Sequence, residues 1–454
     1  MGDAIAGIGW KLQRMIDRGS LSGALGAYLT GVAVTSAPWL LTTAVLVSLR
    51  LLARHSSDDF TIVELTTTVV YSLTVVFSAP IDVVLSRYAS DRFYDKRLDA
   101  IAAPLWRGLA AAVLLFAVVG SAAMLLLRVP WSYAVPGAML TVVVGAQWLA
   151  LSVAGGLSSP NVVLSAFAIG APISVVGALG LGHWLHLGPA SYLYGFGLGQ
   201  LVTLVWLLVG VARVLPESTD ETARLLPAFV DYKLLACSAF AYHLSIWADK
   251  PILWWLGGGP LAALYTTSAA VAWFSVIPAF GWIYVQVETG FYQRYRSYYT
   301  AVEGGAPLPR LRERAEIVKS EIGSVMRGAA LVQGCVTVVA WMAGPLVLDT
   351  VGIPAVALPM YRFALLGAAL QLLTLLALLL LYYFDLRRDA LKVAVILLLS
   401  EVGFTMVGCQ LELTPGLGYA AACVLSSATG IFLLRRRMST LVVDTFQSQP
   451  YGAR

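Results

Sequence analysis

Apolar runs long enough to cross a bilayer recur about twelve times along this chain. They lie near 25–53, 61–86, 104–127, 134–155, 162–182, 191–213, 232–256, 261–287, 326–347, 359–384, 390–410 and 418–434. A hydrocarbon core of about 30 Å asks for about 20 such residues per helical span. Runs such as "FALLGAALQLLTLLALLLLYY" are apolar on every face, whereas the strands of a membrane barrel alternate apolar and polar residues over about 10 positions. The reading is therefore an all-α polytopic membrane protein. Its 12% of charged residues compares with about 25% in soluble domains.

With the N-terminus on the cytoplasmic side, the inner loops and their flanks hold every Lys and Arg except Arg50, Arg54, Arg128, Lys250 and Arg362. That bias satisfies the positive-inside rule and predicts that both termini are cytoplasmic. It also explains the net charge of +5 without a nucleic-acid partner. Residues 1–20 are not read as a cleavable leader, because the apolar run that follows is too long. Ile8, Leu12, Met15 and Ile16 share a helical face opposite Lys11, Arg14 and Arg18, as expected of a helix lying on the membrane surface.

The second and eighth spans end alike. "APIDVVLSRYASDRFYDKR" (79–97) aligns without gaps on "IPAFGWIYVQVETGFYQRY" (277–295), setting Pro80 over Pro278, Phe93 over Phe291, Tyr94 over Tyr292 and Lys96 over Arg294. Spans two and eight are equivalent only in a chain of two six-helix halves, an arrangement found in transporters. The predicted organisation is a surface helix (1–20), a first lobe (21–213), a linker (214–230), a second lobe (231–434) and a cytoplasmic tail (435–454). Within the inner loop 288–325, "LRERAEIVKSEIG" mixes both charges at helical spacing, which reads as a solvated face and a candidate docking surface.

No soluble domain with acidic metal-binding motifs interrupts the spans, and no GxxxxGK[ST] phosphate loop occurs. No catalytic residue, cofactor or metal site is expected. Cys237, Cys335, Cys409 and Cys423 are isolated, and His55, His183, His186 and His243 are scattered. In "YGFGLGQ" (194–200), Gly195 and Gly199 read as close helix packing rather than a nucleotide loop.

The ionisable residues inside spans are Glu64, Asp82, Asp249, Lys250, Arg362 and Glu401. Each costs about 2.5 to 3.5 kcal/mol at mid-membrane, so each is expected to face a cavity or a partner. Asp249 and Lys250 are neighbours, about 100° apart around a helix, which argues against their pairing with each other. Two readings stand for them. They line a hydrophilic path or take part in ion coupling, or they are clamped by charges on other helices, with Glu64, Asp82 and Arg362 as the candidates. Glu401 is read as starting a span close to the inner surface. Trp254 and Trp255, beside the "GGGP" turn, fit an interfacial belt, whereas Tyr242, Trp247, Trp273 and Tyr284 are the candidates for stacking on sugar rings.

"GIGWKLQRMIDRGSLSGALGAYLTGVAVTSAPWLL", "RYASDRFYDKR", "SYLYGFGLGQ", "WADKPILWW" and "YYFDLRRDAL" occur in this order, up to about residue 392. Together they resemble the PelG family of inner-membrane exopolysaccharide transporters, within the multidrug, oligosaccharidyl-lipid and polysaccharide exporter (MOP) superfamily. The resemblance implies two six-helix lobes around a central cavity and export of a polymer rich in N-acetylgalactosamine. It also implies a cytoplasmic glycosyltransferase partner, PelF, and membrane partners PelD, a cyclic di-GMP receptor, and PelE. Arg92, Lys96, Arg97, Arg310, Arg312, Arg314 and Lys319 are then candidates for holding such partners. Three alternatives remain: a flippase for lipid-linked oligosaccharides, a cation-coupled drug antiporter using Glu64, Asp82 and Asp249, and a scaffolding subunit of a synthase.

Overall fold

A computed structural model describes residues 8–17, 19–55, 60–94, 100–157, 160–215 and 225–447. Among these, every regular element is helical. The short helix α1 (Ile8–Ile16) precedes α2 (Leu21–His55), α3 (Thr61–Tyr94), α4 (Ala102–Leu126), α5 (Trp131–Leu157), α6 (Pro160–Leu185) and α7 (Ala190–Ala212). There follow α8 (Leu225–Asp231), α9 (Lys233–Gly257), α10 (Gly259–Trp273), α11 (Ile277–Gln286), α12 (Tyr292–Glu303) and α13 (Leu308–Val351). The chain continues through α14 (Leu358–Tyr383), α15 (Arg387–Gln410), α16 (Leu417–Ser439) and α17 (Leu441–Gln447). All twelve apolar runs fall on long helices, the eighth on α10 and α11 together. Eleven of the helical stretches are long and apolar enough to cross a membrane. Helix α9, which carries Asp249 and Lys250, falls outside that set.

Turn chemistry sets the helix ends. Between α9 and α10, Gly258 adopts φ +90°, a conformation that costs a residue without Cβ little. Pro260 then opens α10, where its missing N–H leaves nothing unpaired. Helix α13 closes on Gly352 at φ +75°, with the Ile353 N–H donating to the Leu348 carbonyl at 2.8 Å, a Schellman-type stop.

The chain divides into two compact units, one comprising residues 36–243 and the other residues 9–35 with 244–454. In the first, α6 packs on α7, α5 on α7, α3 on α5 and α4 on α5. In the second, α15 packs on α16, α14 on α16, α10 on α14 and α13 on α14. Counting six spans per half, these are the same four pairings, so the repeat read from residues 79–97 and 277–295 extends to helix packing. The halves differ where they were aligned. Helix α3 runs unbroken through Pro80, whereas its counterpart tightens into a 3-10 turn at Phe274–Val276 before Pro278 and widens into a π turn at Val287–Phe291.

Beyond the π turn, α12 and the first part of α13 form a hairpin. Leu311, Ala315, Val318, Ile322, Val325 and Ala329 are buried along α13. Their alternating steps of four and three residues make a coiled-coil seam. Arg310, Arg312, Glu313, Glu316 and Lys319 are exposed, as the mixed-charge pattern predicts. Arg294 pairs with Glu321 at 2.7 Å, and Arg314 donates to Ser297, tying the two arms together. Residues 216–224 of the predicted linker, Arg18 at the end of the surface-helix segment, and tail residues 448–454 lie outside the described residues.

In the first unit, α6 and α7 approach through glycines. A Cβ on Gly195 would sit 2.1 Å from the Ala178 backbone nitrogen, and one on Gly199 would sit 2.4 Å from the Gly170 carbonyl oxygen. Gly197, two residues from each, has nothing within 4 Å. Gly195→Ala should therefore force α6 and α7 apart and lower stability by about 1 to 3 kcal/mol, seen as a lower unfolding midpoint in detergent. Gly197→Ala should leave the midpoint unchanged; equal effects of the two would contradict this packing.

Candidate functional site

The second unit buries a polar cluster assembled from five helices. Helix α9 supplies Asp249 and Lys250, α10 Tyr265, α14 Gln371, α15 Glu401 and Thr405, and α16 Tyr419 and Cys423. The Tyr265 hydroxyl donates to Asp249 Oδ2 at 2.6 Å. Lys250 Nζ lies 2.7 Å from Asp249 Oδ1 and donates to the Ile246 carbonyl at 2.7 Å. The lysine–aspartate contact is an ion pair by distance but lacks hydrogen-bond geometry, which leaves Oδ1 without a donor. Their side chains are 2% exposed for Asp249 and 18% for Lys250. The ammonium lies 5.6 Å from the Trp247 ring centroid, 5.8 Å from Tyr265 and 6.0 Å from Tyr419, an arrangement suited to cation–π attraction.

Glu401 is fully buried in mid-helix. Its Oε1 accepts from Thr405 at 3.4 Å, its Oε2 has no hydrogen-bond partner, and it lies within electrostatic reach of both Asp249 and Lys250. Tyr419 donates to the Gln371 side-chain carbonyl. A pocket lined by Asp249, Tyr265, Thr405, Gly408, Gly416 and Tyr419 offers about 20 Å³ to the centres of water-sized molecules. One or two waters or a small cation fit there; a sugar ring does not.

Two expectations change. Asp249 and Lys250 do pair, because the lysine's flexible chain curls along its own helix and removes the separation that their angular spacing implies. Pro251 deprives the Trp247 carbonyl of its usual donor, loosening the turn over which the chain curls. Glu401 does not start a helix; it sits midway along α15, fully buried and within electrostatic reach of the aspartate–lysine pair.

The proposed clamps from other helices are engaged elsewhere. Glu64 pairs with Arg50 at 3.0 Å, Asp82 accepts from Ser86 at 3.4 Å, and the Arg362 guanidinium lies 5.1 Å from the Trp341 ring centroid. Of the aromatic candidates, Tyr242 is buried against His243, while Trp247, Trp273 and Tyr284 are half-buried. Of the docking candidates, Arg310, Arg312 and Lys319 are exposed, Arg314 is half-buried, and Arg92 lies 5.1 Å from the Tyr88 ring centroid. Lys96 and Arg97 lie outside the described residues. Reading the sequence did not single out Gln371, Thr405 and Tyr419 for this site. Tyrosines a few residues from a turn look like interface anchors, and nothing local announces their partners.

Among the described residues no group of three or more His, Cys, Asp or Glu side chains is placed to hold a metal ion. The helix order and the repeated packing among the described residues define a duplicated all-α fold of membrane-spanning length. A multidrug resistance MATE family transporter of the MOP superfamily, in its outward-facing conformation, matches with a TM-score of 0.65 at 14% identity, covering 90% of this chain and 96% of that one. A MOP superfamily transporter from Pyrococcus furiosus matches with a TM-score of 0.63 at 13% identity, over 90% and 96%. A MATE transporter in the bent conformation matches with a TM-score of 0.63 at 15% identity, over 97% and 98%. These likenesses show the fold. Among curated proteins no sequence matches. The chain belongs to the PelG family, described as "Putative exopolysaccharide Exporter (EPS-E)", which matches residues 5–446.

Lys250→Met would leave two buried carboxylates without their cation. The expected loss is about 3 to 5 kcal/mol, read from the unfolding midpoint in detergent, with partial recovery when Glu401→Gln is added. An unchanged midpoint for the single substitution would show that the ammonium does not hold the cluster together.

Proposed function

We propose that this protein exports the Pel exopolysaccharide, a polymer rich in N-acetylgalactosamine, across the bacterial inner membrane for the biofilm matrix. In this reading both termini are cytoplasmic and the chain performs no chemistry itself. PelF would polymerise the sugar on the cytoplasmic side, with PelD and PelE as membrane partners. The family match over residues 5–446 carries the reading. A polysaccharide cannot cross hydrocarbon unaided, because each unsatisfied polar group costs several kcal/mol there. A protein path must shield it, with the chain either threaded as PelF extends it or carried by rocking of the lobes.

The buried cluster suits ion handling better than sugar contact. Two carboxylates and one ammonium, Asp249, Glu401 and Lys250, leave one negative charge unbalanced beside a pocket of water size. A proton or small monovalent cation would cancel it. The same observation favours a cation-coupled antiporter as the second reading. A flippase for pyrophosphate-linked sugars fits less well, since its headgroup asks for basic residues. Glu64, Asp82 and Arg362 remain candidates for the path, with Trp247, Trp273 and Tyr284 for stacking.

Reconstitution with PelF, PelD and PelE in vesicles should deliver labelled polymer to the lumen, faster under an imposed proton or sodium gradient than without one. Absence of luminal polymer under every gradient tested would overturn export. In the same vesicles Glu401→Gln should reduce delivery at least tenfold with the complex intact, and wild-type delivery would remove the cluster from the mechanism. Reversing Arg310, Arg312, Arg314 and Lys319 to Glu should weaken co-purification of the partners; unchanged recovery would place their docking elsewhere.

A further inference from the structure

We propose that the segment from α11 through the π turn into α12, together with the end of α14, forms a saccharide-binding face centred on Glu288. The proposal rests on the export reading and locates a contact for its substrate. The π turn Val287–Phe291 places Glu288 part-way along a helix, and such turns occur frequently at functional sites. The carboxylate is half-buried, and among the described residues it makes neither an ion pair nor a hydrogen bond. Arg294, one turn on, is committed to Glu321 at 2.7 Å. Half-exposed and uncommitted, the carboxylate is open to water or to a ligand.

Tyr284 lies four residues before it along the chain, and Phe291, three residues after it, joins a cluster of rings from α12 and α14. Buried Phe291 anchors the group, with Tyr383 5.2 Å and Tyr295 5.9 Å away between ring centroids. Tyr299 continues the row 4.7 Å from Tyr295. The Tyr295 hydroxyl donates to the Tyr383 carbonyl at 2.9 Å, which fixes α12 against α14. Tyr284, Tyr295, Tyr299 and Tyr383 keep part of their surface open.

Half-open rings offer apolar faces to the C–H side of a pyranose, and a carboxylate accepts hydrogen bonds from its hydroxyl or amide groups. An interfacial tyrosine belt accounts for the rings but gives no role to the uncommitted acid that the π turn carries beside Phe291. The negative charge also selects: uncharged or amino sugars are accepted, whereas uronic acids and pyrophosphate groups are repelled.

The test uses the full chain in lipid nanodiscs, with a tetrasaccharide of N-acetylgalactosamine and one of galacturonic acid as probes. Binding is followed by saturation-transfer NMR and titration. The neutral probe should bind and the acidic one should not. Glu288→Gln should weaken the neutral probe roughly fivefold to tenfold, Tyr284→Ala comparably, and Tyr284→Phe much less. Failure of the neutral probe to bind, equal binding of the acidic probe, or unchanged affinity in Glu288→Gln would each overturn the proposal. Glu288→Gln is nearly isosteric and decides the matter should Tyr284→Ala fail to fold. Luminal polymer in the vesicle assay together with unaltered probe binding in Glu288→Gln would discard this face alone; absent luminal polymer would discard export.

Discussion

Inside hydrocarbon a backbone amide can bond only to other protein groups, and that restriction organises everything else in this molecule. Helices satisfy it locally, which is why the apolar runs become helices whatever their other chemistry. Association between them then cannot draw on the hydrophobic effect and depends on close contact. The meeting of α6 and α7 through Gly170, Gly195 and Gly199 answers that need. The same pairings recur in the two halves, so one packing solution serves twice; the breaks at 274–276 and 287–291 belong to the second half alone.

Against this background the polar cluster of the second unit is a concentrated exception. Asp249, Lys250 and Glu401 occupy a region where each charge is costly. Tyr265, the rings around the ammonium and the hydroxyl of Thr405 reduce that cost without removing it. The Glu401 Oε2, which has no hydrogen-bond partner, marks where compensation stops. Asp249 also lines a water-sized pocket there.

Much of the fold was legible because hydrophobic length is a strong, local signal: the spans, the duplication and the solvated face of α13 follow from residues read in order. The site was only partly legible. Asp249, Lys250 and Glu401 stood out as charges in apolar runs, but who meets whom depends on helix packing and side-chain reach. Angular spacing separated Asp249 from Lys250, yet a lysine's length closes that gap. Glu401 looked peripheral until α15 placed it, fully buried, within electrostatic reach of that pair. Tyr419 carried no local sign of its partners, and Glu288 none that it would fall in a π turn.

That turn has a geometric effect beyond the residues it contains. Each α-helical residue advances the chain by about 100°, so one extra residue in a turn resets the azimuth of everything after it. The basic and aromatic sides of α12 point where they do because of Val287–Phe291, and the Arg294–Glu321 link carries that bearing to α13. Migration of the bulge by a single turn would swivel only the residues it passes and leave both ends of the helix in place. A torsional adjustment of the tyrosine row thus requires no hinge.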